Sequence, residues 1–311
     1  MQVHIVFTAF GKASNFPILE SIKEFKDINT ICLTSRATKK YWQSAGITTY
    51  HTFFNPMSKL SRLFRYIIRN NIWLSKHVSK VIFNHKILRD TVVVPHNLRH
   101  FLSLEVISGL NPEDFVFLTD ARDLVFQVSP ITIAKRLVAD DVVHLFDEGV
   151  SYFRNNLPQD FINSKSNFEW IQQLLNYPDS LNNFDLKNPI INSGCIAGRV
   201  KNLTRLLTET TILMSNSKYG LGSILDQAAV NIAVYKEVPN VSTYLVNKNG
   251  KIVLNMCGII NEDVGIENGK IHFNAKVIPI IHQFDRFGTY SSPFGLRLSR
   301  RKYKSIGVET N

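Results

Sequence analysis

Short apolar runs alternate with amphipathic segments along the first part of the chain. Apolar residues dominate positions 3–10, 28–35 and 46–54, a pattern typical of buried strands. Residues 18–25, between the first two runs, have helical spacing instead. This order of strand, helix and strand predicts an α/β fold built on a doubly wound, mostly parallel sheet.

The same two patterns continue towards the C-terminus. Helical spacing recurs in residues 58–90, 97–110, 201–216 and 224–237, with a break expected near Asn70 and Asn71. Further strand-like runs occupy residues 114–120, 142–149, 189–199 and 276–282. Residues 151–189 are rich in asparagine and predict a long loop with a short helix at 168–176. Because no internal repeat or low-complexity linker divides the chain, we predict a single domain with a C-terminal elaboration.

The composition indicates a soluble globular protein. Of 311 residues, 44% are hydrophobic and 20% charged, which excludes a largely disordered chain. No segment approaches the roughly 20 apolar residues that span a bilayer, and the N-terminus lacks the basic residue of a signal peptide. Cys32, Cys195 and Cys257 have neither disulfide nor metal-ligand spacing. Together these features predict a reducing, cytoplasmic environment.

Positive charge changes this picture by pointing to an anionic partner. The net charge is +11, and much of the excess lies in residues 59–99 and 297–304. A charge of this size attracts anions at long range. Nucleic acid, an anionic membrane surface and phosphate-bearing substrates all fit, and so does a solvated face without a partner.

The segment with the clearest candidate chemistry is the apolar run at 114–120 and the turn that follows it. This run ends in Asp120, and Asp123 follows three residues later. In open α/β sheets, ligands bind beyond the carboxyl ends of the strands, and two carboxylates there can hold a divalent cation. Alternatively, Asp120 caps the turn and Asp123 pairs with Arg122.

Other polar residues follow predicted strands or begin predicted helices. The run Asn192-Ser193-Gly194 offers amide and hydroxyl contacts beside a glycine, or forms an ordinary turn. Asp226 begins a helix and is either an N-terminal cap or a ligand-binding residue beside Gln227.

Two further positions carry candidate side chains. His282 follows an apolar run and is either a buried core histidine or a metal ligand. Glu148, beside Asp147 and Gly149, ends another strand and could act as a base on an acceptor hydroxyl, or be a turn acid.

Four segments taken together indicate a family: LTDARD, INSGCIAG, LDQAAVN and IIHQFDRF. In this order and approximate spacing they resemble the nucleotide-sugar-dependent glycosyltransferases of the GT-A fold, and most closely the family 8-like retaining enzymes. The resemblance covers roughly residues 1–290. It implies a GT-A domain over 1–290, with a nucleotide-binding half at about 1–130, an acceptor half at about 131–290 and a basic tail at 291–311.

The resemblance also implies residue roles. Asp120, Asp123 and His282 would ligate Mn²⁺ or Mg²⁺. The turn here, however, is Asp-Ala-Arg-Asp and not Asp-x-Asp. Asp120 could therefore contact either the metal or the ribose of the donor. The other implied roles concern the substrates. The donor would be contacted by Arg99, Asn192, Ser193 and Gly194, and its nucleotide base would meet Thr8, Ala9 and Phe10. Asp226 would bind the transferred sugar or the acceptor, and Gln227 would lie near the anomeric carbon.

These implications predict a retaining hexosyltransferase that uses a nucleotide-diphosphate sugar and acts on a glycan or a lipid-linked acceptor in surface polysaccharide or lipopolysaccharide synthesis. A peripheral position at the inner face of an anionic membrane would explain the basic charge. Two alternatives are a nucleotidyltransferase, disfavoured because only Gly11-Lys12 stands where a glycine-rich basic loop is expected, and a nucleic-acid-binding protein, which leaves the acidic turn unexplained.

Overall fold

A computed structural model of the chain describes most of its residues. The described residues are 1–10, 17–23, 25–52, 55–151, 162–175, 184–185, 187–217, 219–237, 241–244, 252–256, 264–267 and 270–283. Three predicted features, the Gly11-Lys12 segment, Cys257 and the basic tail at 291–311, lie outside them. The boundary at 290 therefore stays a prediction.

The fold is organised around a central sheet of seven strands in the order β3-β2-β1-β4-β7-β6-β8. Its strands are β1 (Val3–Ala9), β2 (Ile28–Ser35), β3 (Thr48–Thr52), β4 (Phe115–Asp120), β6 (Val143–Ser151), β7 (Pro189–Arg199) and β8 (Val241–Tyr244). Every pairing in this sheet is parallel except those of β7, which runs antiparallel to both β4 and β6. The predicted mostly parallel α/β sheet is confirmed.

Two smaller sheets extend the central one. β5 (Leu124–Phe126), β9 (Val253–Asn255) and β13 (Ile280–His282) form the first, in the order β5-β13-β9. β10 (Val264–Glu267), β11 (Lys270–Phe273) and β12 (Lys276–Val277) form the second. The apolar pattern predicted one strand at 276–282, whereas the structure divides it into two short strands around Pro279, because proline lacks the N–H that a strand ladder needs.

Ten α-helices accompany the sheets in the described part of the chain. They are α1 (Pro17–Ile22), α2 (Lys39–Ser44), α3 (Lys59–Arg69), α4 (Ile72–Asn84), α5 (Lys86–Val92), α6 (Pro95–Ile107), α7 (Pro130–Leu137), α8 (Ile162–Leu175), α9 (Val200–Asn216) and α10 (Asp226–Ile232). The predicted break near Asn70 and Asn71 is confirmed, since α3 ends and α4 begins there. The helix predicted at 168–176 begins earlier, at Ile162, so the expected long loop is partly helical.

Helices cover both faces of the central sheet because its strands alternate side chains between two apolar cores. On β1, Val6 faces a core built with α6, α9 and α10, whereas Ile5 and Phe7 face a core built with α1, α2 and α7. A parallel sheet buried in this way on both faces agrees with the predicted Rossmann-like architecture of the GT-A type. The arrangement leaves the carboxyl ends of β1 and β4 free to form a site.

None of the helices in the described ranges is long and apolar enough to cross a membrane.

Candidate functional site

The predicted site residues converge at the carboxyl edge of the central sheet. Thr8 on β1 pairs with Asp120 on β4, so these two strands end side by side. Because β7 runs antiparallel, its N-terminal half reaches the same edge, where Thr119 pairs with Cys195. β6 runs parallel to β4 and brings Glu148 there as well. Because β7 is reversed, side chains from β1, β4, β6 and β7 surround one space.

That space is a cavity of about 570 Å³. Residues named from the sequence supply much of its wall: Thr8, Ala9, Phe10, Arg99, Asp120, Asp123, Glu148, Asn192, Ser193, Gly194, Asp226 and Gln227. His282 does not line the cavity itself but lies next to Asp120 and Asp123, which do. The sequence did not indicate Met57, Asn167, Trp170 or Gln283, which also line it.

A candidate metal centre lies where the small sheet β5-β13-β9 meets the central one. His282 pairs with Leu124 on one side and with Asn255 on the other. The N-terminus of β5 therefore lies beside the C-termini of β13 and β9. Asp123 immediately precedes β5 and therefore lies beside His282. This small sheet joins residues that are far apart in the sequence.

Asp120, Asp123 and His282 offer ligand atoms that all lie within 4.8 Å of one another. The Nε2 atom of His282 is 3.6 Å from Oδ2 of Asp120 and 3.7 Å from Oδ1 of Asp123. His282 is buried, and its Nε2 has no hydrogen-bond partner among the described residues. A buried polar nitrogen is rarely left in this state.

The tautomer of His282 follows from its other nitrogen. Its Nδ1 is 2.7 Å from Oδ1 of Asn255, whose Nδ2 donates to the carbonyl oxygen of Asp147 at 2.8 Å. The amide orientation of Asn255 is therefore fixed, its oxygen accepts, and Nδ1 of His282 must donate. Nε2 then faces the two carboxylates without a hydrogen bond, so the three side chains could hold a cation between them.

Gly194 explains how the three ligands come so close. A Cβ atom at this position would lie 2.5 Å from Oδ2 of Asp120 and 2.5 Å from Cε1 of His282. Such contacts are closer than non-bonded atoms tolerate, so a larger residue would displace Asp120, His282 or both. The sequence predicted that this glycine lets the backbone approach a bound substrate closely. In the structure it lies against two of the candidate metal-binding side chains.

Arg99 joins three elements at the edge of the cavity. Its guanidinium donates to Asp120 on β4, to Oγ of Ser193 on β7 at 2.7 Å, and to Oδ2 of Asp226 on α10 at 2.5 Å. The Arg99 side chain is mostly buried and therefore does not lie on a solvated face of α6. Asp226 is the first residue of α10 and does not act as its N-terminal cap, since its carboxylate is bound by Arg99.

These contacts keep both carboxylates ionised. Burial alone would raise the pKa of Asp120, but the Arg99 guanidinium and then His282 hold it well below the usual range of an aspartate. Asp226 is also buried, and Arg99 followed by His100 holds its pKa well below that range. Burial lowers the pKa of His100 itself, which favours its neutral form.

A second polar network lines the opposite side of the cavity. Oε1 of Glu148 accepts from Nδ2 of Asn192 at 2.8 Å and from Nε2 of Gln227 at 3.3 Å. Gln227 Nε2 also donates to Oδ1 of Asn167 at 2.7 Å, and its Oε1 accepts from the Ser193 amide at 3.4 Å. Oε2 of Glu148 is buried without a hydrogen-bond partner in the described structure. It is the acceptor atom that this network leaves for a ligand.

Asn255 and Asn167 are the positioning residues that the sequence analysis missed. Asn255 is the last residue of β9, a strand that no apolar run predicted. Asn167 lies on α8, within a segment expected to be loop. Neither has a local sequence signal, because only their pairing with His282 and Gln227 gives them a role.

Comparisons with known proteins give limited similarity. No protein-family model matches the chain, and no curated protein matches it either. Among solved structures, the chain is similar to mouse xyloside xylosyltransferase 1 in its apo form, with a TM-score of 0.48 and 10% sequence identity. The similarity covers 91% of this chain and 98% of the mouse chain. A likeness at this level assigns no function to the chain.

Proposed function

We propose that the protein is a metal-dependent glycosyltransferase of the GT-A type, which transfers a hexose from a nucleotide-diphosphate sugar to a hydroxyl group of a glycan or lipid-linked acceptor. The observation that supports it best is the Asp120, Asp123 and His282 group beside a polar cavity at the carboxyl edge of the sheet. The resemblance of four sequence segments to this class points the same way.

The residues present fit a divalent cation. Asp120 and Asp123 supply carboxylates, and the Nε2 lone pair of His282 supplies an imidazole nitrogen. Oxygen ligands suit Mn²⁺ and Mg²⁺, and the added imidazole favours Mn²⁺, since Mg²⁺ prefers oxygen. When bound, such an ion would neutralise the negative charge of a diphosphate and of the same group as it leaves.

We assign the remaining residues the roles that the resemblance implies, which their positions in the cavity wall support. Arg99 orients Asp120 and Asp226 and, because it lines the cavity, also meets the donor. Asn192, Ser193 and Gly194 border the space for the sugar, and Thr8, Ala9 and Phe10 border the space for the base. Asp226 would bind the transferred sugar or the acceptor.

In the reaction, the bond between the anomeric carbon and the diphosphate oxygen breaks, and a bond from that carbon to the acceptor oxygen forms. The proton of the acceptor hydroxyl must leave, and we assign its acceptance to Glu148, which lines the cavity and whose Oε2 has no hydrogen-bond partner among the described residues. Gln227 holds the other oxygen of Glu148 in place, which makes it a positioning residue in this proposal.

The proposal includes retention of the anomeric configuration and a role in surface polysaccharide or lipopolysaccharide synthesis, both of which follow from the resemblance to family 8-like retaining enzymes. The anomeric coupling constant of the first product, measured by proton NMR, distinguishes retention from inversion.

Thermal denaturation with a panel of nucleotide sugars, with and without Mn²⁺, tests the proposal directly. Binding to the native state raises the melting temperature by mass action, and a ligand at about 100 times its Kd adds about 2.7 kcal/mol of stability. We expect one UDP- or GDP-sugar to raise the melting temperature, and a chelator to abolish the shift. The absence of a shift with every donor at millimolar concentration, with metal present, would overturn the proposal.

Variants of the metal centre provide the second test. Asp123→Ala and His282→Ala should each lower donor turnover by at least about a hundredfold, since each removes a ligand of the metal. Gly194→Ala should have a similar effect because its Cβ would displace Asp120 and His282. Gly265→Ala is the matched control, since a Cβ there meets no heavy atom within 4 Å. Full turnover in both Asp123→Ala and His282→Ala would contradict a metal-dependent reaction.

A further inference from the structure

Helix α3 has an unusual distribution of apolar residues. Leu60, Leu63, Phe64 and Ile67 follow one another at the spacing of a single helical stripe. In a helix of a globular protein, such a stripe normally faces the core. Here these side chains are 54%, 55%, 43% and 46% exposed, so the stripe faces outwards.

The opposite face of α3 packs against the protein with few apolar groups. Ser61 and Ile68 are buried and Arg65 is partly buried, while the outward stripe keeps the larger apolar surface. The fold therefore does not use the apolar stripe of this helix. A soluble protein rarely leaves a contiguous apolar stripe of this kind exposed unless it meets a partner.

Basic charge accompanies the stripe. Lys59 and Arg62 are exposed beside it, and α3 contains no acidic residue. Across residues 59–99 the sequence has nine lysines and arginines and a single acid, and two of the nine, Arg89 and Arg99, are buried in ion pairs. A surface with large apolar side chains and flanking cations matches the interface of an anionic bilayer, where both features contribute to binding.

The position of α3 relates this surface to the cavity. Met57 lines the cavity, and Ser58 caps the N-terminus of α3 by accepting from the Ser61 amide at 3.1 Å. The apolar stripe thus begins only a few residues from the cavity wall. A surface that rests on α3 lies close to the space where a substrate would bind.

We propose that the outward face of α3 docks the protein on the surface of an anionic lipid bilayer, with Leu60, Leu63, Phe64 and Ile67 inserted at the interface and Lys59 and Arg62 facing the headgroups. This orientation presents the cavity to groups carried at the membrane surface. The inference stands apart from the proposed reaction, because docking requires neither a donor nor a metal.

Charge and apolarity together favour a bilayer over other partners. In a two-fold pair of this chain, the same basic surface of each copy would face the other and repel it. Nucleic acid would satisfy the cations but would leave four apolar side chains in water. An anionic bilayer satisfies both sets of side chains.

Flotation with vesicles of phosphatidylglycerol and phosphatidylcholine, compared with pure phosphatidylcholine, tests the proposal on the full chain without donor. We expect binding to the anionic vesicles only. Leu63→Asn combined with Phe64→Asn should weaken that binding by at least about tenfold, since two interfacial apolar groups are lost. Ile212→Asn on α9 and Tyr41→Asn on α2 are controls, because these apolar residues are equally exposed elsewhere, at 45% and 44%.

A second pair of variants, Lys59→Gln combined with Arg62→Gln, removes charge from exposed positions and should also weaken binding by about tenfold. It keeps the test valid if the first pair alters folding, which the melting temperature reveals. Equal vesicle binding by wild type and both variant pairs would overturn the proposal. The proposal would also be overturned if wild type binds no vesicles but forms a dimer or a nucleic-acid complex that the same variants abolish.

Discussion

At the scale of single residues, the candidate metal centre depends on atoms held in fixed positions. His282 directs Nε2 towards Asp120 and Asp123 because Asn255 accepts from its other nitrogen, and Asn255 can accept because its amide donates to the Asp147 carbonyl. Gly194 lies against Asp120 and His282, and a Cβ atom at this position would clash with both. The chemistry of three ligands thus rests on two residues that would not touch the ion.

The role of Asn255 leads to a prediction about metal affinity. Asn255→Leu removes the acceptor for Nδ1 of His282, which frees the ring to rotate or change tautomer. We expect Mn²⁺ binding, measured by calorimetry, to weaken by about ten- to a hundredfold. Asn255→Asp keeps an acceptor for His282 and should restore most of the affinity. An unchanged Kd in Asn255→Leu would show that Asn255 does not position the ligand.

At the scale of secondary-structure elements, Arg99 connects α6 to β4, β7 and α10. The N-terminus of α6 is set by Pro95, which suits the first position of a helix because its missing N–H would have no partner there. Arg99 lies one turn further on and reaches the carboxylates of Asp120 and Asp226. The packing of α6 on the sheet is therefore coupled to the electrostatics of the cavity.

Removing this connection should destabilise the fold. Arg99→Met leaves the buried carboxylate of Asp226 without its cationic partner, and breaking a buried pair in this way costs about 3–5 kcal/mol. Chemical denaturation at pH 7 measures the loss. Arg99→Lys keeps the charge but not the forked geometry, and should lose less. Equal stability of wild type and Arg99→Met would contradict the pairing.

The same pair predicts how this difference changes with pH. Arg99 holds the pKa of Asp226 below the ordinary value of 3.8, so ionised Asp226 stabilises the folded state at pH values above about 4. That contribution is lost as the pH falls below the ordinary value, because protons then bind preferentially to the unfolded state. The difference in free energy of unfolding between wild type and Arg99→Met should therefore shrink at acidic pH.

At the scale of the whole molecule, two apolar cores cover the faces of one sheet. Cys32 on β2 and Cys195 on β7 are both free thiols in the core that also contains Phe7 and Phe117. Burial raises the pKa of each thiol far above its usual range, so neither is a nucleophile in the folded state. Their reactivity consequently reports on opening of the sheet itself.

Thiol labelling in urea should reveal whether the sheet unfolds as one unit. In a Cys257→Ser background, we expect Cys32 and Cys195 to resist alkylation in the native state and to become reactive together at the global unfolding transition. Mass spectrometry of labelled peptides, followed alongside circular dichroism, measures both events. Labelling of one cysteine well before the other would show that β2 and β7 belong to separately unfolding parts.

The sequence by itself determined the local elements and named many residues of the candidate site. The periodicity of apolar residues located β1, β2, β4, α6 and α9, because burial of a strand or helix face imposes its own spacing on the chain. It also placed Asp120 and Asp123 at a strand end, since both lie within one short segment. Several residues of the cavity wall could be named because they follow a patterned strand or begin a patterned helix, and others, such as Arg99, only because of the family resemblance.

Only the tertiary structure decided how those elements meet. The reversal of β7, the joining of β5, β13 and β9, the contact of Asn255 with His282 and the outward turn of α3 all depend on pairings between distant segments. Such pairings leave no periodic signal, because the partner of a strand or a side chain is chosen by the packing of the whole chain and not by its neighbours in sequence. The sequence thus supplied the candidate metal ligands, and the tertiary structure alone brought them to one place.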